Sequence, residues 1–213
     1  MWAIVVAGGA GTRFGTAKQF VEVRGAPVLH HSVATAATVC DHVVAVVPRG
    51  EEQRAVPGAE VVVAGGATRS DSVRAGLAAV PAAAEVVVVH DAARPNATPE
   101  LFEAVIAAVR DGADAAVPGV PVADTLRRTD GGVVDRSELV AVQTPQAFPA
   151  AWLRRAHAAV GDATDDAGLV EAIGGTVVVV PGERANLKLT EPADLAVIDL
   201  LWVHEPAGAR MAQ

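Results

Sequence analysis

A glycine-rich loop near the start of the sequence carries the side chains best suited to chemistry. The apolar residues 3–7 run into the glycine-rich residues 8–11, and Arg13 and Lys18 follow within the same loop. Glycine has no Cβ, so the backbone can turn sharply here and point its N–H groups at an anion. The two cationic side chains lie close to the predicted start of a helix, which is a favourable place to bind a polyphosphate. The alternative is a turn that only reverses the chain, which leaves both cations unexplained.

Two better-known glycine motifs do not fit this loop. A dinucleotide fingerprint reads G-x-G-x-x-G, and the third glycine position is Phe14 here. A Walker A loop needs Gly-Lys-Ser/Thr, whereas Lys18 lies between Ala17 and Gln19. An NAD site also needs an acidic residue after the second strand. That position holds Pro-Arg at residues 48–49, so we exclude both classes.

A second candidate site follows another apolar run. The sequence His-Asp-Ala-Ala-Arg-Pro occupies residues 90–95, directly after four valines. Asp91 is suited to a magnesium ion, which favours one or two carboxylates together with phosphate oxygens. Arg94 can bind a phosphate through two parallel hydrogen bonds. The alternative is an ordinary ion pair between Asp91 and Arg94.

A third candidate site begins with Gly65 and Gly66, after a predicted strand. These glycines let the backbone approach the edge of a nucleotide base. Ser72 can then hydrogen-bond the nucleotide. Arg69 could assist, or it could pair with Asp71.

Strand-like and helix-like patterns alternate along most of the sequence. The predicted strands are residues 3–7, 43–47, 60–64, 85–90, 114–118 and 176–180. The predicted helices are residues 28–39, 68–80, 99–110, 149–160, 166–173 and 192–203. Because the strands are continuously apolar, both faces of their sheet should be covered. The pattern predicts an α/β fold with a doubly wound, mostly parallel sheet, whose ligands bind beyond the carboxyl ends of the strands.

The alternation breaks between residues 120 and 148, where we predict a projecting β-arm within a single domain of residues 1–213. Asp130-Gly131 between strand-like flanks is a hairpin signal. A lone hairpin is marginally stable in water, so the arm should pack on a second subunit and form a homodimer. The alternative is a disordered excursion, but Leu139 and Phe148 are too apolar to favour solvent.

Composition narrows the possible partners and location. The net charge of −8 argues against a nucleic-acid binder, which would present a broad basic face. The single cysteine excludes an intramolecular disulfide. We find neither a signal peptide nor a membrane span, so we expect a cytoplasmic protein with no membrane partner.

These motifs, in this order, resemble the 2-C-methyl-D-erythritol 4-phosphate cytidylyltransferase family. The first loop resembles the Ala-Gly-Gly-x-Gly-x-Arg signature of nucleotidyltransferases with a lysine after it. The sequence at 90–95 is highly specific to the family, and 65–72 matches its Gly-Gly-x-x-Arg-x-x-Ser segment. Residues 124–125, 135–136, 143–146, 164–166 and 186–190 resemble further family segments. One departure is Ala17, where a proline is common.

The resemblance implies a Rossmann-like nucleotidyltransferase fold and a reaction of CTP with 2-C-methyl-D-erythritol 4-phosphate, assisted by Mg²⁺ or another divalent cation at Asp91. Together with the motifs, the resemblance implies that the catalytic residues are Arg13, Lys18, Arg136 and Lys188. The nucleotide-binding residues are Ala7, Gly8, Gly9, Ala10, Gly11, Gly65, Gly66, Ser72 and Asp91. The residues for the polyol phosphate are Arg94, Thr125, Arg136, Thr144, Thr164 and Lys188.

Three other functions remain open at this point. Ribitol-5-phosphate cytidylyltransferases share most of these motifs, and a molybdenum-cofactor nucleotidyltransferase is a more distant possibility. A nucleotide-sensing protein of the same fold would bind without turnover. Such a sensor would be indicated by loss of Arg13, Lys18 or Asp91, and all three are present.

Overall fold

The computed structural model describes residues 1–9, 14 and 17–202 of the chain. Its strands are Trp2–Val6 (β1), Glu22–Val23 (β2), Ala26–Pro27 (β3), His42–Val47 (β4), Val61–Ala64 (β5), Val86–Asp91 (β6), Ala115–Pro121 (β7), Leu126–Arg127 (β8), Val133–Val134 (β9), Val140–Val142 (β10), Gln146–Pro149 (β11) and Val177–Pro181 (β12). Its α-helices are Val28–Val39 (α1), Arg69–Ala79 (α2), Pro99–Arg110 (α3), Ala150–Ala159 (α4), Asp166–Ala172 (α5) and Asp194–Leu200 (α6).

One large sheet organises the described part of the chain. Eight of the described strands belong to it, in the order β10, β7, β11, β6, β1, β4 and β5, with β12 also paired to β7. β1 lies parallel between β4 and β6, and β5 and β12 are parallel to their neighbours. β10 and β11 are antiparallel to theirs. The predicted α/β fold with a mostly parallel sheet is confirmed.

Helices cover both faces of this sheet, so its strands are apolar on both sides. One core packs α1 and α3 against residues such as Val5 and Val88. The opposite core packs α2, α4 and α5 against the alternate residues, such as Ile4 and Val89. A smaller cluster joins Ile198 of α6 to the start of α1. None of the helices in the described part of the chain is both long and apolar enough to cross a membrane.

Local signals explain where the helices beside the site begin. Thr68 caps α2, and its side chain and that of Asp71 form reciprocal hydrogen bonds with each other's backbone N–H groups. Thr98 caps α3, and Pro99 occupies the first turn, where its missing N–H costs nothing. The predicted strands and helices all occur with small shifts at their ends, except that β7 runs on to Pro121. The described part of the last helix is shorter than predicted, and Val203 lies outside the described residues.

The prediction that residues 120–148 form one projecting arm is wrong at both ends of this segment, which pair with strands of the main sheet. β10 pairs with the end of β7, placing Val142 opposite Gly119. β11 lies between β6 and β7, and Phe148 is fully buried there. β10 and β11 are therefore strands of the main sheet, because their backbone groups form hydrogen bonds with β6 and β7.

The hairpin predicted within this region is present. β8 and β9 pair with each other in antiparallel register and form their own small sheet. Gly131 and Gly132 in the turn both have positive φ, which glycine adopts without steric cost. The hairpin and its flanks, between β7 and β10, are largely exposed to solvent.

Candidate active site

A cleft with two lobes lies at the carboxyl ends of β1 and β6, where the fold predicts ligand binding. The first lobe has a volume of about 560 Å³. The second has a volume of about 310 Å³. Arg69, Asp91 and Lys188 line both lobes, so these three residues form the junction between them.

The lining of the first lobe includes most of the predicted nucleotide-binding residues that the structure describes. These are Ala7, Gly8, Gly9, Gly66, Ser72 and Asp91, and Lys18 joins them. The second lobe is lined by predicted polyol-phosphate residues, namely Arg94, Thr144, Thr164 and Lys188. Segments of the chain that are distant in sequence thus meet in one cleft.

Asp91 is the electrostatic centre of the junction. Nζ of Lys188 donates to its Oδ2 at 2.6 Å, and Nε of Arg69 donates to its Oδ1 at 3.1 Å. Burial by itself would raise the pKa of Asp91, but Arg69 and Lys188 outweigh it and hold the pKa well below its usual range. The carboxylate is therefore ionised at neutral pH.

A chain of hydrogen bonds holds the backbone of Asp91. The His90 imidazole is fully buried, and burial lowers its pKa to about 4, so the ring is neutral. Its Nε2 lies 3.2 Å from the Arg94 carbonyl oxygen, so Nε2 carries the hydrogen. The Thr144 hydroxyl then donates to Nδ1 of His90 at 3.1 Å and accepts from the N–H of Asp91 at 3.0 Å. Thr144 is thus engaged in positioning Asp91.

Close packing around a serine requires glycine at positions 8 and 65. A Cβ at Gly8 would lie 2.7 Å from Oγ of Ser72, and one at Gly65 would lie 2.9 Å from the same atom. The Ser72 hydroxyl donates to the Thr68 carbonyl and accepts from the N–H of Gly66. Gly65 does not line the lobe but packs behind it. Ser72 therefore joins the two glycine loops.

The cleft collects both lysines of the sequence, Lys18 and Lys188. Nζ of Lys18 donates to the Leu189 carbonyl at 2.6 Å, although Ala17 replaces the usual proline. Leu189 is itself fixed, because its N–H donates to the Ala93 carbonyl at 2.7 Å. The loop that carries Lys188 therefore also holds Lys18.

The structure decides between the alternatives left open for two ion pairs. Arg69 pairs with Asp91 and with Asp166, whereas Asp71 pairs with Arg74 at 2.8 Å. The Arg94 guanidinium does not pair with the Asp91 carboxylate, and only the backbone N–H of Arg94 donates to the Asp91 carbonyl, at 3.0 Å. Its Nη1 donates to the carbonyl of Asn186, and burial lowers its pKa against the opposing effect of Asp91. The site thus uses Arg69 and Lys188 to neutralise the aspartate.

Two amide side chains hold the second lobe together, in motif segments where the sequence assigned neither of them a role. The Gln143 side chain donates to the carbonyls of Glu183 and Asn186 and accepts from the Glu183 N–H. The Asn186 amide donates to Oε1 of Gln143 and to the Thr144 carbonyl. Both side chains are buried. The pair anchors the loop that precedes Lys188 and accepts the hydrogen bond from Arg94.

Some predicted site residues are not brought into this cleft. Thr125 and Arg136 line a separate hollow of about 370 Å³ on the exposed hairpin. Arg136 donates to the carbonyl of Ala123 within that region. The predictions for Ala10, Gly11 and Arg13 lie outside the described residues.

The described residues contain no group of three or more acidic, histidine or cysteine side chains that could hold a metal ion by themselves. In the described lining of the first lobe, Asp91 is the only acidic residue. A carboxylate has about four lone-pair positions, so Asp91 could serve a cation while keeping its two protein partners. Magnesium commonly binds with so few carboxylates when phosphates supply further oxygens.

Comparison with known proteins identifies one family, whose sequence model matches almost the whole chain. The family model described as 2-C-methyl-D-erythritol 4-phosphate cytidylyltransferase matches residues 1–203. A protein of that name from Rubrobacter xylanophilus is 42% identical, and the match covers 98% of each chain. A crystal structure of the Thermus thermophilus protein of that name has a TM-score of 0.82 at 37% identity. The match covers 93% of this chain and 97% of that one.

Longer relatives match as well. The bifunctional enzyme IspD/IspF from Nitratidesulfovibrio vulgaris is 45% identical, and the match covers 93% of this chain and 57% of the relative. The chain therefore spans a little over half the length of these bifunctional relatives.

The packing at Gly66 predicts a clear effect on folding. A Cβ there would lie 2.1 Å from Cβ of Asp71 and 3.1 Å from its carbonyl carbon, so Gly66→Ala must displace the start of α2. We expect the free energy of unfolding in urea to fall by about 1–3 kcal/mol, which is typical of overpacking. Gly9→Ala is the matched control, because a Cβ there meets nothing within 4 Å. Equal stability of the two variants would contradict this packing.

Proposed function

The chain belongs to the 2-C-methyl-D-erythritol 4-phosphate cytidylyltransferase family, and from this premise we propose that it joins CTP to 2-C-methyl-D-erythritol 4-phosphate. The products would be 4-diphosphocytidyl-2-C-methyl-D-erythritol and pyrophosphate, in non-mevalonate synthesis of isoprenoid precursors. The observation that carries the proposal is the junction of Arg69, Asp91 and Lys188 between two lobes. A reaction of two phosphates needs one site for each substrate and charge control where they meet.

We assign CTP to the larger lobe. Gly8, Gly9 and Gly66 offer backbone groups at close range there, and Ser72 holds the glycine loops together. Lys18 and Lys188 both line this lobe and would bind the triphosphate there. Backbone groups can read the edge of a base, which fits a site lined by glycine and alanine.

We assign the polyol phosphate to the smaller lobe. Nε of Arg94 is buried and has no hydrogen-bond partner among the described residues, so it offers a donor to an anion. Thr164 is exposed at the rim and could bind the polyol. Lys188 would reach the attacking phosphate, because it lines both lobes. Thr144 would support this lobe by holding Asp91.

The proposed step needs no general base. A phosphate monoester has its second pKa near ~6, so it is mostly a dianion at neutral pH. One of its oxygens would attack the α-phosphorus of CTP. The new P–O bond forms as the bond from the α-phosphorus to the bridging oxygen breaks, and pyrophosphate leaves with that electron pair. Catalysis is then positioning together with stabilisation of charge by Arg13, Lys18 and Lys188.

We expect turnover to require Lys18. Lys18→Ala removes a cation that the triphosphate needs most in the transition state, so kcat should fall by about 10²–10³-fold, as for loss of an oxyanion donor. Arg13→Ala should have a similar effect. Pyrophosphate release measures both rates, and Arg110→Ala, on the last turn of α3, is the control for loss of a cation elsewhere. Near-normal kcat in either variant would refute its assigned role.

The same assay separates the alternative functions. We expect activity with 2-C-methyl-D-erythritol 4-phosphate and little with ribitol 5-phosphate. The reverse preference would favour the ribitol-5-phosphate enzyme. Binding of CTP without turnover of either polyol would favour a nucleotide-sensing protein.

A divalent cation, Mg²⁺ or a close substitute, forms part of the proposal. Asp91 would hold it, because this carboxylate is ionised and is the acidic residue of the described first-lobe lining. When bound, the ion would neutralise charge on the triphosphate that Arg13 and Lys18 cannot balance alone. We expect excess chelator to abolish pyrophosphate release and added Mg²⁺ to restore it. Full activity in chelator would contradict this assignment.

The protein is further proposed to be a cytoplasmic homodimer. The region between β7 and β10, with β10, exposes large apolar side chains, including Val133, Leu139 and Val140. Thr125 and Arg136 lie in a separate hollow of that region, although the resemblance assigns them to the polyol phosphate. A twofold dimer would cover this surface and could deliver both residues to the partner's second lobe.

Subunit exchange tests the shared site. Lys18→Ala and Arg136→Ala should each be inactive alone. If Arg136 acts across the dimer, a mixed dimer has one doubly defective site and one intact site. Random exchange would make about half of the dimers mixed, so about a quarter of all sites would recover. Size-exclusion chromatography must first show exchanging dimers, and lack of recovery would then place Arg136 in its own subunit's site.

A further inference from the structure

Arg69 lies between the two lobes, yet the proposed reaction gives it no contact with either substrate. Its Nε donates to Oδ1 of Asp91 at 3.1 Å, and its Nη1 donates to Oδ2 of Asp166 at 2.8 Å. A guanidinium group is a planar fork whose donors point in fixed directions. Two carboxylates bound along different directions therefore fix both its position and its rotation.

The two carboxylates differ in their surroundings. Asp166 is fully buried, and its Oδ1 lies 2.9 Å from Nε2 of His157, which is also buried. A carboxylate only accepts hydrogen bonds, so Nε2 of His157 carries a hydrogen and donates it. Asp166 and His157 line neither lobe, whereas Asp91 lines both. Asp166 is thus the anchored end of the network, and Asp91 is the end that faces substrate.

The two oxygens of Asp91 consequently have different partners. Arg69 contacts Oδ1 from the start of α2, and Lys188 contacts Oδ2 from the loop before α6. An arginine without other partners commonly binds both oxygens of one carboxylate. Here Nη1 binds Asp166 and Lys188 holds Oδ2 of Asp91, so Arg69 meets Asp91 through Nε alone, while Nη2 has no hydrogen-bond partner among the described residues.

We propose that Arg69 is a positioning residue for Asp91, and that Asp166 anchors the Arg69 guanidinium beside Oδ1. Oδ2 then remains directed toward Lys188 and the cleft, where the triphosphate and its cation would bind. The inference rests on the function proposed above, since that function makes the orientation of the carboxylate matter.

A double-mutant cycle tests the role of Arg69. Arg69→Lys keeps the charge but cannot join two carboxylates through a rigid fork. We expect it to lower kcat about 10-fold when Asp91 is present, and less than about 2-fold in an Asp91→Asn background. Arg74→Lys is the matched control, because Arg74 lies on the same helix and pairs with Asp71 near the surface. Equal losses in both Asp91 backgrounds would overturn the proposal.

A second variant tests the role of Asp166. Asp166→Asn should lower kcat about as much as Arg69→Lys, and combining the two should cost less than about 2-fold more. Thermal unfolding identifies any variant that has lost its fold, in which case the Arg69→Lys cycle alone decides. A folded Asp166→Asn protein with full kcat would overturn the anchoring of Arg69 by Asp166.

Calorimetry of CTP binding in Mg²⁺, without polyol phosphate, gives a readout that does not depend on turnover. We expect Arg69→Lys to raise the Kd several-fold only when Asp91 is present. If the unaltered protein fails to release pyrophosphate, the proposed function fails, but this binding cycle still decides the role of Arg69. Equal changes in Kd in both Asp91 backgrounds would overturn it.

Discussion

The carboxylate of Asp91 can be buried at the end of β6 only because two cations lie beside it. An uncompensated buried charge costs several kcal/mol, so removing either cation would leave Asp91 in an unfavourable environment. Arg69 comes from the start of α2 and Lys188 from the loop before α6. Neutralising one aspartate therefore brings together the end of a central strand, a helix start and a loop that are far apart in sequence. The cleft exists where these elements meet.

The antiparallel strand β11 also helps to position Asp91. Its pairing with β6 brings Thr144, two residues before β11, next to the backbone of Asp91. The Thr144 hydroxyl donates a hydrogen bond to Nδ1 of the neutral His90 imidazole. The hydroxyl oxygen can therefore accept a hydrogen bond from the backbone N–H of Asp91. Gln143 and Asn186 then connect this turn to the loop of Lys188. The fold and the charge network thus depend on each other at the same few residues.

Much of the fold was predictable because each long strand and helix carries its own pattern. β11 was not, since four residues that begin with Gln146 and end with Pro149 show no strand pattern, and their partners lie far away in sequence. The glycine loops and Asp91 were predictable because their chemistry is local. The partners of Arg69 were not, because sequence favours its neighbour Asp71, whereas the structure supplies Asp166 from 97 residues away.

The network also explains how a chain of net charge −8 can offer a site to polyanions. Within the junction, Arg69 and Lys188 balance Asp91 and Asp166, so these four groups are neutral together. Charges on the remaining surface are largely screened beyond a Debye length of about 8 Å at physiological ionic strength. An incoming phosphate therefore experiences mainly the nearby donors: Lys18, Arg94 and the backbone N–H groups of the glycine loops. Local placement of a few cations, rather than overall charge, determines what this cleft can bind.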